Sequence, residues 1–230
     1  MINRTSLINT QQKTWLWPGF LLSIEELLMA GERDTQTAGL SVKQGRALLW
    51  LARETIARQL DLHVREPDSE IVTHLRDQEL QQKRGTFVTL KEHGKLRGCI
   101  GSLAPVDSIV EGVKRNALNS AFHDPRFRPV EINELAAIEV EISILTVPKP
   151  LNYANADDLI RILQVGIDGV IIQKGGQSAT FLPQVWEQLS RPDVFLSHLC
   201  HKAGLPAEAW RSGSLEVFTY QVQYFVDKHG

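Results

Sequence analysis

The runs Gly85-Thr86-Phe87-Val88-Thr89-Leu90 and Lys95-Leu96-Arg97-Gly98-Cys99-Ile100-Gly101 stand on either side of Lys91-Glu92-His93-Gly94. Two β-prone runs around a Gly-bearing turn are the signal of an antiparallel hairpin. Its second strand carries the most distinctive residues of the chain. If that strand is regular, Arg97 and Cys99 share a face at roughly 7 Å, a gap a guanidinium can close. A cation beside a thiol favours the thiolate, so the pair predicts a reactive Cys99 activated by Arg97. Gly98 and Gly101 strip side chains from the same backbone, which permits a bulge or the close approach of a ligand or another chain. The plainer alternative is an inert, buried cysteine in a hairpin.

Outward from the hairpin the pattern becomes regular. Upstream, Leu48, Trp50, Leu51, Ile56 and Leu60 recur at helical spacing, and Ser41 can cap the start. Downstream, Pro105 fits the first turn of a helix with apolar positions at Val106, Ile109, Val110, Val113, Ala117 and Ala121, stopped by Asp124-Pro125. Ile138, Val140, Ile142 and Ile144 then alternate with Glu139, Glu141 and Ser143, a strand with one apolar face. The same order recurs after Pro150. A helix is expected at 156–163 and a hairpin from Gly169 through Lys174-Gly175-Gly176 to 179–182. Helices follow over 184–189 and 193–203, and one strand over 215–226.

The predicted fold class is α+β, an antiparallel-rich sheet covered by helices in two similar helix-hairpin-helix-strand halves. Residues 1–40 read as an N-terminal extension and linker, and 41–230 as the domain, with sublobes at 41–150 and 151–226. The extension carries Trp15, Leu16, Trp17, Phe20, Leu21 and Leu22, an arm packed on the body or a docking segment for a partner or a second copy.

With 230 residues, 43% of them hydrophobic, the chain can bury a full core, and its net charge of −2 supplies no positive field for phosphates. Nucleic-acid binding is therefore disfavoured. The start of the chain lacks a basic leader with a clean apolar run and cleavage site, and its longest uncharged stretch is too short to span a bilayer. A cytoplasmic protein with no membrane partner is expected. Cys99 and Cys200 are the only two cysteines and have no zinc-like spacing. His198 and His201 stand one helical turn apart beside Cys200, but without an acidic third ligand no metal site is predicted. No phosphate-binding glycine loop, dinucleotide fingerprint or GxSxG elbow is present, so no cofactor is predicted.

Residues that could act with Cys99 follow from order along the chain. His123, Asp124 and Arg126 come directly after the helix that follows the hairpin, so a compact fold can return them to Cys99. A thiol, an imidazole and a carboxylate could make a nucleophile, base and orienter, with Arg126 suited to a carboxylate or phosphate. Glu141, on the polar face of its strand, needs solvent or a partner. Glu141 and Thr180 could line the same cleft.

The Leu96-Arg97-Gly98-Cys99-Ile100-Gly101 run resembles the signature of the AMME-syndrome chromosomal candidate-region family, whose bacterial and archaeal members are called AmmeMemoRadiSam system protein A. Further pieces agree in order and spacing: Gly45-Arg46-Ala47-Leu48-Leu49, Phe122-His123-Asp124-Pro125-Arg126-Phe127, Glu141-Ile142-Ser143-Ile144-Leu145, Ala179-Thr180-Phe181-Leu182-Pro183-Gln184-Val185-Trp186 and Lys202-Ala203-Gly204-Leu205. The resemblance covers about residues 41–226. It implies a place in a three-part system whose other members are a radical SAM protein and a Memo-like protein. Any radical SAM cluster belongs to the partner, since this chain has no CxxxCxxC motif. Two readings follow. One is a Cys99-centred cleft that binds or modifies a small anionic substrate, with Arg97, His123 and Asp124 assisting and Gly98, Gly101, Arg126, Glu141 and Thr180 lining it. The other is a non-catalytic adaptor for the partner proteins.

Overall fold

Ser41 opens the first helix, α1 (Val42–Gln59), in a computed structural model that describes residues 39–63 and 66–227. The extension up to residue 38, with its tryptophan-bearing piece, lies outside the described residues. Ser41 Oγ accepts from the Gln44 amide at 3.2 Å while Gln44 Oε1 accepts from the Ser41 amide at 2.8 Å, so the two residues satisfy each other at the helix start. The apolar stripe of α1 packs on the first sheet. A Cβ on Gly45 would lie 2.0 Å from the Phe225 ring, so only glycine lets the helix approach this closely.

A short helix α2 (Ser69–His74) leads to the hairpin of β1 (Thr86–Glu92) and β2 (Lys95–Ser102). His93 at φ 50° and Gly94 at φ 73° form its two-residue turn, the left-handed geometry that matches strand twist. The ladder then slips. Glu92 faces Lys95 and Lys91 faces Leu96, but Leu90 faces Gly98 and Thr89 faces Cys99, leaving Arg97 as the extra residue of a β-bulge. Continued without the bulge, the ladder would set Cys99 against Val88, which is buried in the core. The inserted residue instead turns Cys99 to the opposite face of the sheet.

Helix α3 (Ile109–Phe122) follows, capped by Ser108, whose Oγ accepts from the Glu111 amide at 3.3 Å. It starts later than its sequence suggests. Pro105 and Val106 precede the helix, and Val106 is exposed, because Ser108 is the better N-cap. Strand β3 (Ile138–Leu145) lies beside β1. The second half runs β4 (Lys149–Pro150), α4 (Ala156–Ile162), β5 (Gly169–Lys174), β6 (Gln177–Phe181), α5 (Pro192–Lys202) and β7 (Glu216–Tyr220). The helix expected over 184–189 is a 3₁₀ turn, Pro183–Glu187.

The strand expected over 215–226 is two strands, because β7 ends at Tyr220 and β8 (Val222–Asp227) enters the other sheet. The sheets are β2-β1-β3-β8 and β6-β5-β7-β4, each a hairpin followed by a third strand and a fourth taken from the other half. Thus β3 runs on into β4, and β7 runs on into β8. The two crossings touch: the Gln221 amide donates to Thr146 Oγ1 at 2.8 Å, and the Thr146 amide donates to the Gln221 carbonyl at 2.9 Å. The boundary at residue 150 therefore does not divide the chain by sheet, since β4 and β8 are exchanged. The fold is α+β with two antiparallel sheets, and among the described residues five α-helices cover them.

Three apolar clusters hold this arrangement. One lies between α1, α3 and the Val88, Leu90, Val140 and Ile142 face of the first sheet. A second packs α4 and α5 on the second sheet. The third joins the sheets to each other, with Leu145, Phe87, Leu103 and Val222 from the first and Ile171, Phe218, Tyr220 and Leu182 from the second. Part of the first sheet's inner face extends past that contact.

Candidate functional site

The uncovered part of that face is a row. Strand pairing sets Cys99, Thr89, Glu141 and Val226 side by side across β2, β1, β3 and β8. Beside it run Gly101, Phe87, Ser143 and Tyr224, and on the other flank Leu96, Lys91 and Glu139. Cys99, Thr89 and Glu141 are half-buried, while Val226 is exposed. Thr89 Oγ1 donates to Cys99 Sγ at 3.3 Å, and Lys91 Nζ donates to Glu141 Oε2 at 2.7 Å.

The electrostatics of the row keep the thiol neutral. Burial pushes the Cys99 thiol above its ordinary value, and the charges of Asp124 and Glu141 add to this against the opposing Thr89 hydroxyl and Arg126. The Tyr224 hydroxyl is likewise pushed up to about 12, first by burial and then by the charges of Glu141 and Glu187.

Arg97 does not meet the thiol. Its Nε donates to Glu134 Oε1 at 2.9 Å and its Nη2 to Glu134 Oε2 at 3.1 Å, while Nη1 reaches the Arg128 carbonyl at 2.9 Å and Nη2 the Pro129 carbonyl at 3.2 Å. The bulge is the reason, since it breaks the alternation that would have put Arg97 and Cys99 on one face. Arg97 and Glu134, 7% and 9% exposed, form an ion pair that fastens the loop after α3 to the sheet edge.

Asp124 and Arg126 do return to Cys99, as their order along the chain predicts, but to its backbone. The Cys99 amide donates to Asp124 Oδ2 at 2.9 Å, and Arg126 Nη2 donates to the Cys99 carbonyl at 3.1 Å. Arg126 also holds Asp124 through Nε at 2.9 Å and Nη2 at 2.7 Å. The ion pair thereby stands where a neighbouring strand would stand, at the outer edge of β2. Burial disfavours the ionised Asp124, but the Arg126 guanidinium and the Cys99 and Arg126 amides outweigh it and hold the carboxyl below its usual range.

The remaining predicted residues disperse. His123 is exposed at the C-cap of α3, and the described hydrogen bonds of Cys99 run to Thr89, Asp124 and Arg126. Gly98 and Gly101 leave no room for a ligand. A Cβ on Gly98 would meet the Ser120 carbonyl oxygen at 2.1 Å, and one on Gly101 the Phe87 ring at 2.2 Å. Thr180 lies in the second sheet, its hydroxyl donating to the Val170 carbonyl at 2.9 Å and meeting the Tyr220 hydroxyl at 3.0 Å. It does not join the row that holds Glu141. Among the described residues no group of three or more His, Cys, Asp or Glu could hold a metal ion.

The AMMECR1 family profile matches residues 49–225. The chain belongs to the AMMECR1 family. Protein MK0488 of Methanopyrus kandleri is 36% identical over 197 residues, 82% of this chain and 91% of its own length. Protein Mbar_A1807 of Methanosarcina barkeri is 39% identical over 186 residues, 80% of this chain and 91% of its own. The crystal structure of the uncharacterized protein PH0010 from Pyrococcus horikoshii superposes with a TM-score of 0.67 at 34% identity, over 81% of this chain and 92% of that one. In this AMMECR1 chain the family-like runs fall on structural joints: Gly45 under Phe225, Gly98 under Ser120, and Asp124 and Arg126 on the Cys99 backbone.

Reading the sequence missed Thr89, Lys91, Val226 and Tyr224. The hairpin pattern contained Thr89, but counting back from a two-residue turn without a bulge pairs Cys99 with Val88 instead. Tyr224 and Val226 were hidden inside what reads as one strand of the second half.

Proposed function

We propose that this AMMECR1-family chain is a binding component of an AmmeMemoRadiSam-type system and takes its ligand on the open face of the first sheet. The observation that carries this reading is the Cys99–Thr89–Glu141–Val226 row, a half-exposed strip with a neutral thiol at one end and a carboxylate in the middle. The guanidiniums that would have favoured an anionic substrate are committed to Glu134 and Asp124. Glu139 and Glu141 flank the Lys91 ammonium and the Glu187 charge acts on Tyr224, which supports a neutral or cationic ligand group. A radical SAM protein and a Memo-like protein are the proposed partners, on the strength of the family resemblance. Among the described residues no helix is long and apolar enough to cross a membrane.

A cysteine-centred modification of a small substrate is the second reading, favoured by the partial exposure of Cys99. The rate of Cys99 alkylation as a function of pH, with buried Cys200 as internal control, separates the two. On the binding reading the half-point lies above the free-thiol value of about 8.5, and Cys99→Ser keeps co-purification with the partners while Glu141→Lys weakens it. A half-point well below that value, with Cys99→Ser inactive, gives the site to nucleophilic chemistry.

A further inference from the structure

Two contacts bring the start of α1 to the margin of the first sheet. Gln223, on β8, accepts from the Leu40 amide through Oε1 at 2.8 Å and donates to the Leu40 carbonyl through Nε2 at 2.7 Å, so one side chain clamps both backbone groups of a single residue. Gly39 lies against the same side chain, where a Cβ would stand 3.2 Å from Gln223 Oε1. Strand β8 is the last in the order β2-β1-β3-β8, so a chain fixed there has one strand to round before it meets the open face. On that face Tyr224 and Val226 are 38% and 41% exposed, and among the described residues no other strand exposes a large apolar side chain.

Ahead of Gly39 the sequence supplies an apolar segment of matching character. The run Trp15-Leu16-Trp17-Pro18-Gly19-Phe20-Leu21-Leu22 contains no charge and six large apolar side chains, a surface that calls for cover. We propose that this segment of the chain's own extension seats on the Tyr224–Val226 end of the open face. Residues 23–38 are the tether, and a stretch of that length spans up to roughly 50 Å, against about 15 Å across four strands. A covalent tether holds its segment at an effective concentration of about millimolar, which favours it over a second copy of the chain in dilute solution. A groove lined by Leu60, Val130 and Ile132 is a rival seat, but it lies at the far end of α1, whose 18 residues rise roughly 27 Å from the Leu40 clamp. Seated on β8, the segment borders the Cys99–Thr89–Glu141–Val226 row and any ligand held there; that consequence, unlike the seating, rests on the binding reading.

The test places a photo-crosslinking phenylalanine analogue at Tyr224 of the full chain, irradiates it at micromolar concentration and maps the linked peptides by mass spectrometry. The expected product is a monomer linked between position 224 and residues 15–22. In the same chain carrying Trp15→Ser and Trp17→Ser, with native circular dichroism, that link is lost. A link that survives both substitutions reports the tether alone and overturns the proposal. So does a link to another part of the chain, a linked pair of chains, or a side chain at 224 that reacts only with water. None of these outcomes depends on a partner protein or on Cys99 alkylation, so the seating and the binding reading fail separately.

Discussion

Asp124 does at one residue what a whole strand does elsewhere in the sheet. Its carboxylate takes the Cys99 amide, and its partner Arg126 gives a hydrogen bond to the Cys99 carbonyl. Replacing Asp124 by Asn removes the buried carboxylate that the half-buried Arg126 guanidinium holds, and should cost about 2–3 kcal/mol in chemical denaturation. The pH dependence has a definite sign. The Asp124 and Glu134 carboxyls are both held below their usual values, so the stability they supply is complete above the unfolded value of about 4 and fades as pH falls through the lower folded values. Wild type should therefore lose stability on acidification below about pH 4, and Asp124→Asn should show a shallower loss over the same range. Gly98 sets a second limit at this scale. Its hypothetical Cβ strikes backbone, the Ser120 carbonyl, so Gly98→Ala should lower the melting temperature markedly, with a cost of about 1–3 kcal/mol. The same change at Gly101 meets the Phe87 ring at 2.2 Å and the Thr86 carbonyl oxygen at 2.5 Å, so it too should lower the melting temperature.

At the scale of the element, the β1–β2 hairpin contains both a turn and a bulge, and only the turn is legible in sequence. His93-Gly94 advertises a tight connection. His93 nevertheless adopts a left-handed conformation that favours glycine or asparagine, so His93→Asn should raise stability by about 0.5–1 kcal/mol, measured by denaturant unfolding. The glycines permit a bulge, but nothing local says where the extra residue falls. That one-residue ambiguity decides the face on which Cys99 stands, which is why the reactive-thiol expectation misassigned Arg97 while placing Asp124 and Arg126 correctly near Cys99. Helices α1, α3 and α5 were legible because their apolar spacing is sustained over several turns. The start of α3 and the 3₁₀ turn at Pro183–Glu187 were not, because a local cap and a proline outweigh periodicity there. The Cys99 pH profile belongs to this scale too, since the bulge sets both the burial of the thiol and its neighbours.

Across the whole molecule, element order is repeated while strand order is exchanged. The repeat was visible in sequence as two runs of helix, hairpin, helix and strand. The exchange was not, because Glu216–Tyr220 and Val222–Asp227 read as one alternating segment broken only at Gln221. Each half contributes the fourth strand of the other's sheet, and the crossings at Thr146 and Gln221 are bonded to each other. Cleavage of the loop between β4 and α4 would thus release no free module, since each fragment would keep a strand threaded into its neighbour. Residues 1–152 and 153–230, made as separate polypeptides, should recover the native fold only when mixed, seen as return of the near-ultraviolet circular dichroism and co-elution. Such a pair would behave as a split protein, each piece reporting on the presence of the other.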